Sequence, residues 1–213
     1  MSRQFDGPAT RVMTMSAPRW VVAKGCIVGA SIGVVARVWM RWISTNPEFS
    51  WSGTIAIVAS FMIFGTAQSV AWAARTAKWS RSRLTAIRIV STVLSLGLFV
   101  AAGAILFPTV VAASLAQWRT EWSPWVRVPL AVAAIPMLIY VGHSIVDDYG
   151  WNPATVGRIG LFLLLYVAII CATWPTVAAM NDGWHSSKLL RAVVVAIPMV
   201  LVGRVAVSFA MRR

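Results

Sequence analysis

The chain is predicted to be an all-α, polytopic transmembrane helical bundle of about six spans, and three observations carry that expectation. Of its 213 residues, 59% are hydrophobic and only 12% charged, with a mean hydropathy of +0.75, an apolar surplus that a water-soluble domain cannot hide in its interior. Six separate runs, near 20–36, 53–74, 89–115, 128–146, 159–180 and 189–210, approach or exceed the roughly 17–25 apolar residues that cross a hydrocarbon core. Tryptophan marks their ends: Trp20, Trp39, Trp42, Trp51, Trp72, Trp79, Trp118, Trp122, Trp125, Trp151 and Trp184 sit at or near span boundaries, and Trp174 alone lies within a run. An amphipathic indole prefers the headgroup region.

Residues 1–19 read as a polar, basic cytoplasmic tail in which Pro8 and Pro18 oppose a continuous helix, and 20–213 as a single transmembrane domain. The first run passes into Arg37, Trp39 and Arg41 without a small-residue cleavage site, which argues against a removed signal peptide. Within it, Gly25, Gly29 and Gly33 recur every four residues, a groove that lets another helix approach closely. That neighbour is either part of the same bundle or another subunit. Lys24 lies near the span end and snorkels.

The connector 37–51 places Arg37 and Arg41 on one helical face, with Trp39, Trp42, Phe49 and Trp51 able to lie in the interface. Asn46 before Pro47 has the form of an N-cap with proline at the first helical position, and Glu48 in the first turn suits the helix dipole. The second helix is therefore expected to start at Pro47. The stretch reads either as a membrane-surface elbow or as a docking surface for a partner or lipid. The following loop carries Arg75, Lys78, Arg81, Arg83 and Arg88, each worth about 1 kcal/mol beside anionic lipid headgroups. Its alternative use is an acidic partner.

Pro108, Pro136, Pro175 and Pro198 fall inside the third to sixth spans and permit kinks. His143 and Asp147 are four apart, with Asp148 adjacent, while Arg204 lies deep in the last run. Arg204, Asp147 and Asp148 are the expected buried charges, because ionisable groups at membrane depth need partners. Cys26 and Cys171 lie inside apolar runs and read as small core residues.

With the amino terminus in the cytoplasm, 11 cations fall inside (Arg3, Arg11, Arg19, Arg75, Lys78, Arg81, Arg83, Arg88, Arg158, Arg212, Arg213) and 6 outside (Arg37, Arg41, Arg119, Arg127, Lys188, Arg191). The positive-inside rule then places both termini in the cytoplasm. The formal charge of +13 would suggest nucleic acid in a soluble domain, but cations lying between apolar runs are topology signals and lipid contacts. No nucleic acid, cofactor or metal is expected: two histidines do not build a site that needs three or four ligands. Phosphate-loop, nucleophile-elbow and His-Glu-x-x-His motifs are missing from the sequence, so no catalysis is expected.

Ala, Val, Arg and Trp richness and the Pro47-Glu48-Phe49-Ser50-Trp51 elbow resemble small multi-pass inner-membrane proteins of actinobacteria, of mycobacterial type. The resemblance implies a place in the plasma membrane. Some proteins of that style are accessory subunits of envelope lipid-transport machines of the mammalian-cell-entry type. The expected function is thus a non-catalytic accessory or scaffold subunit, contacting membrane lipids and other integral membrane subunits within a larger cell-envelope complex. The alternative is a small transporter or channel for a lipid or small solute, built on the proline-kinked bundle.

Overall fold

The computed structural model describes residues 17–45, 49–77, 79–102 and 106–179, and those residues form helices and connectors with no strand. The helices are α1 (Ala17–Trp42), α2 (Trp51–Thr76), α3 (Arg81–Ala102), α4 (Phe107–Trp118), α5 (Pro124–Ala133), α6 (Ile135–Tyr149), α7 (Pro153–Ala172) and α8 (Trp174–Val177). Five stretches are long and apolar enough to cross a membrane: Arg19–Trp42, Trp51–Thr76, Arg81–Phe99, Pro124–Tyr149 and Pro153–Val177. The chain is a membrane-embedded, all-helical protein. The expected sixth span at 189–210, with Arg204 and Pro198, lies outside the described residues.

α1 and α2 form an antiparallel pair zipped by small residues. A Cβ on Gly33 would stand 2.9 Å from Phe61 Cβ and 3.0 Å from Val58 Cα, and one on Gly29 would run into the Phe61 carbonyl. A Cβ on Gly25 would meet Ser69 and the Gly65 carbonyl. Gly25, Gly29 and Gly33 therefore face their own bundle, and the four-residue spacing is used to bring two backbones together.

Two expected boundaries change here. α1 continues through Arg37 to Trp42, so Trp39 falls on the same stripe as Gly29, Gly33 and Ala36 and is buried instead of interfacial. α2 begins at Trp51, not Pro47. Its N-cap is Ser50, extended at φ −120 and ψ 119, whose Oγ accepts from the Gly53 N–H. Pro47 and Glu48 lie outside the described residues.

The largest departure concerns the expected third span, 89–115, which is two helices running in opposite directions. α3 is antiparallel to α2: Ser91 Oγ reaches the Ala67 carbonyl, and Leu98 packs with Phe61 and Phe64. α4 is parallel to α7: Tyr166 Oη reaches the Thr109 carbonyl, Ser114 meets Thr173, and Trp118 Nε1 donates to the Ile170 carbonyl. α7 in turn is antiparallel to α1, because Trp39 Nε1 donates to the Arg158 carbonyl and Ala36 packs at the level of Leu165. α4 thus heads back toward the end where α3 began. Twelve residues extend only about 18 Å, well short of a hydrocarbon core. Pro108 gives a local reason: it sits in the first turn of α4, where its missing N–H removes no helical bond, whereas inside one long helix it would.

The remaining spans are also interrupted at prolines. α5 and α6 cross together with a turn at Ala134, two residues ahead of Pro136. α7 and α8 are broken at Thr173, with Pro175 in the first turn of α8. α6 ends at Gly150, whose φ of +66 suits only a residue without Cβ. Asn152 then caps α7 by accepting from the Thr155 N–H at 2.8 Å, with Pro153 in its first turn.

The bundle therefore has two unlike ends. The fold-back brings Arg119 within electrostatic reach of Arg88, which Arg75 also reaches, and Arg127 Nε donates to the Ala116 carbonyl. Arg19, Arg75, Arg81, Arg83, Arg88, Arg119 and Arg127 share this basic end. Arg158 belongs to the other end, with Arg37 and Arg41: its Nε donates to the Trp42 carbonyl at 3.0 Å, and its guanidinium lies over the Tyr149 ring, 3.9 Å from the centroid. The expected assignment of Arg119 and Arg127 to one side and Arg158 to the other is thereby exchanged.

Candidate functional site

A cavity of about 240 Å³ lies between α2, α3, α4 and the broken α7–α8 helix. It exists because α3 and α4 touch where Phe99 meets Phe107, ring centroids 5.1 Å apart, and then part toward the basic end with α2, α7 and α8 behind them. Thr92 and Leu96 on α3 and Val111 on α4 line the cavity and are exposed. They form a lateral rim facing the surrounding lipid.

The cavity wall carries a row of polar side chains that the flanking helices satisfy among themselves. Gln68, only 5% exposed, donates from Nε2 to Ser95 Oγ at 3.0 Å and accepts at Oε1 from Thr176 at 3.0 Å. Ser95 Oγ donates to the Ser91 carbonyl at 2.6 Å, and Thr173 Oγ1 lies 2.9 Å from Ser114 Oγ. A buried amide at membrane depth without such partners would cost several kcal/mol, on the order of 2–7. The row thus ties α2, α3, α4 and α7–α8 together while leaving hydroxyls on the cavity face.

At the basic end, the carbonyls that the short α8 leaves open are capped by arginine. Arg88 donates to the Thr176 and Val177 carbonyls at 2.6 and 3.2 Å. Arg75 donates to those of Pro175, Ala178 and Ala179, its guanidinium 4.6 Å from the centroid of the Trp174 ring. Guanidinium donors suit the electronegative end of a helix. This corrects the expectation that Arg75 and Arg88 serve anionic lipid headgroups: both turn inward. Arg81 and Arg83 are exposed and remain placed for lipid. Lys78 lies outside the described residues.

Arg119 closes the arrangement. It lines the cavity, donates from Nη1 to Glu121 Oε1 at 3.0 Å, and holds a buried Nε that meets no acceptor among the described residues. Beyond Phe99 and Val110, a second, apolar cavity of about 50 Å³ continues among Trp39, Phe61, Leu106, Phe162 and Tyr166.

The other expected sites are dispersed. Arg37 Nε donates to Thr54 Oγ1 across the α1–α2 hairpin. Arg41 lies over the Phe49 ring, and Phe49 packs edge-on to Trp51, so this part of the elbow is held together locally. Trp42 is covered by Arg158. Trp39 stacks on Phe162 at 5.3 Å inside the core, and its burial removes it from any docking surface. Asp147 and Asp148 are exposed and not the expected buried charges: Asp147 pairs with His143 at 2.8 Å, both side chains more than half exposed. Their helix turns them outward, at the end of the bundle opposite Arg81 and Arg83.

Cys26 and Cys171 are free and half-buried. Among the described residues no three His, Cys, Asp or Glu side chains converge. Neither Arg119 nor the hydroxyl row is an ionisable group at membrane depth in the sequence, since Arg119 sits in a connector and the row is uncharged. The legible signal was the amide Gln68 within an apolar run and the four-residue spacing of Ser91 and Ser95. No protein family, curated protein or solved structure matches the chain.

Proposed function

We propose that this protein is a non-catalytic membrane carrier that receives a lipid or small amphiphile from the bilayer into the cavity between α2, α3, α4 and α7–α8. The observation that supports the reading is the cavity itself: largely apolar with a row of hydroxyls on one wall, bounded on one side by the proline-broken α7–α8 helix, and rimmed on its lipid side by Thr92, Leu96 and Val111. At about 240 Å³ it lies below the roughly 300–1,000 Å³ of drug-sized ligand sites, which suits a headgroup with the start of one chain. The glycine groove, which could have received another subunit, is filled by α2 of the same chain.

The basic end is proposed to face the cytoplasm, with the plasma membrane as the location. Seven described arginines at that end, against Arg37, Arg41 and Arg158 at the other, favour this orientation. The amino-terminal end of α1 is then cytoplasmic.

The test is lipid retention after extraction in mild detergent, read by native mass spectrometry. The parent protein is expected to carry one lipid-sized adduct. Leu96→Trp and Val111→Trp, both at exposed rim positions, are expected to lose it while remaining folded. Retention by both folded variants at the parent level would refute the carrier reading.

A further inference from the structure

We infer that the site selects one alkyl chain of its amphiphile by length: the hydroxyl or ester head lies at the polar row, and the chain passes Phe99 to end in the apolar second cavity, whose floor sets the limit. The inference rests on the carrier reading above and adds which part of the ligand is recognised, and by which residues.

Polarity changes at one level on all four walls. The hydrogen bonds of Gln68 to Ser95 and Thr176, and of Ser114 to Thr173, hold the polar row at a common height in the bundle. Four residues from each member, on the side away from the basic end, stands an apolar side chain: Phe64 beyond Gln68 on α2, Phe99 beyond Ser95 on α3, Val110 beyond Ser114 on α4 and Ile169 beyond Thr173 on α7. Residues four apart share a helical face. About 6 Å of helix therefore separates hydroxyl from hydrocarbon all round the cavity. An amphiphile has the same order along its own length, and a head with hydroxyl or ester oxygens finds donors and lone pairs in that row.

Beyond that step only hydrocarbon fits. Two side chains on the lining of the second cavity carry N–H or O–H groups, and both are engaged: Trp39 Nε1 by the Arg158 carbonyl and Tyr166 Oη by the Thr109 carbonyl. Water needs several polar partners and finds none there, whereas a dry apolar cavity accepts an apolar guest. An empty space of about 50 Å³ forfeits the contacts that a methylene chain would supply. Its floor is fixed, because Trp39 is tied to Arg158 at its edge and stacked on Phe162 at its face, centroids 5.3 Å apart, with both rings buried.

Phe99 is the partition. It lines both cavities, is half-buried, and meets Phe107 edge-on at 5.1 Å. A turn of its ring toward the lipid side would join the two spaces into one channel for a chain.

The experiment uses the full chain in mild detergent with a series of monoacylglycerols of graded chain length, present at equal mole fraction, and native mass spectrometry reads which are retained. The parent is expected to show an upper limit, with longer chains retained roughly fivefold less well or worse, the size of a small overpacking penalty. Phe99→Ala, which joins the two spaces, should move the limit to longer chains. Leu165→Phe, which adds bulk to the second cavity, should move it to shorter ones. General damage to the fold moves both variants the same way, and Phe99→Ala decides alone should Leu165→Phe not fold. Chains retained by the parent in the proportions offered, an unmoved limit in Phe99→Ala, or shifts of both variants in one direction would overturn the chain assignment, while loss of retention in Leu96→Trp would still uphold the carrier reading. Retention of no monoacylglycerol, or retention that Leu96→Trp leaves unchanged at every length, would overturn the carrier reading and this inference with it.

Discussion

Two consecutive helix pairs in this chain are built in opposite ways. α1 and α2 are long, unbroken and joined along a glycine face, where backbone meets backbone at Gly25, Gly29, Gly33 and Gly65. α3 and α4 are of unequal length, α4 carries a proline in its first turn, and the two touch where Phe99 meets Phe107. In a bilayer, lipid tails are as apolar as leucine, so helices associate through close van der Waals contact and hydrogen bonds rather than by hiding from water. The first pair uses contact. The second pair cannot close, and hydroxyls on α3 and α4 bond to α2 and α7–α8 instead. Small residues on both partners make a seam; polar residues around a short helix make a cavity.

The contrast depends first on α3–α4 being a hairpin, and the sharpest test is all-or-none. In a background lacking Cys26 and Cys171, Asp148→Cys is expected to react with an impermeant thiol reagent on intact cells, and Thr120→Cys to stay unlabelled. One continuous span over 89–115 gives the reverse pattern.

Next in size is the seam. Gly29→Ile is expected to lower stability by about 1–3 kcal/mol or more, as overpacking does, because its Cβ alone would collide with the Phe61 carbonyl. Reversible unfolding in mixed micelles reads the loss. A variant as stable as the parent would show that α1 and α2 can part freely.

The polar wall should give less. Ser95→Ala removes a partner of Gln68 and the bond to the Ser91 carbonyl, with an expected loss of about 0.6–1.7 kcal/mol, the range found for hydrogen bonds between membrane helices. Smallest is the counterpart of Gly29 on the open pair. Nothing lies within 4 Å of a Cβ at Gly97, so Gly97→Ala should be neutral or stabilising by at most about 1 kcal/mol through helix propensity. Equal destabilisation at Gly29 and Gly97 would erase the distinction between seam and opening.

Much of this architecture was legible in the residues. Length and apolarity of the runs identify the membrane helices, since only a helix satisfies its own backbone in hydrocarbon, and the spacing of Gly25, Gly29 and Gly33 marks a close contact before any partner is known. Pro136 and Pro175 mark places where α5–α6 and α7–α8 break, because a missing N–H is a local property. The direction of the chain after α3 was not local. An apolar run at 89–115 is compatible with one crossing or with a fold-back, as its hydropathy is the same in both, and Pro108 fits either a kink or a helix start. Only the pairing of Thr109 with Tyr166, Ser114 with Thr173 and Trp118 with Ile170 decides it. That one decision carries Arg119 and Arg127 to the basic end and Arg158 to the other. The positive-inside count and the charge at the cavity mouth therefore follow from tertiary contacts: sequence determines which segments enter the bilayer, whereas which side each connector reaches depends on the direction of every helix before it.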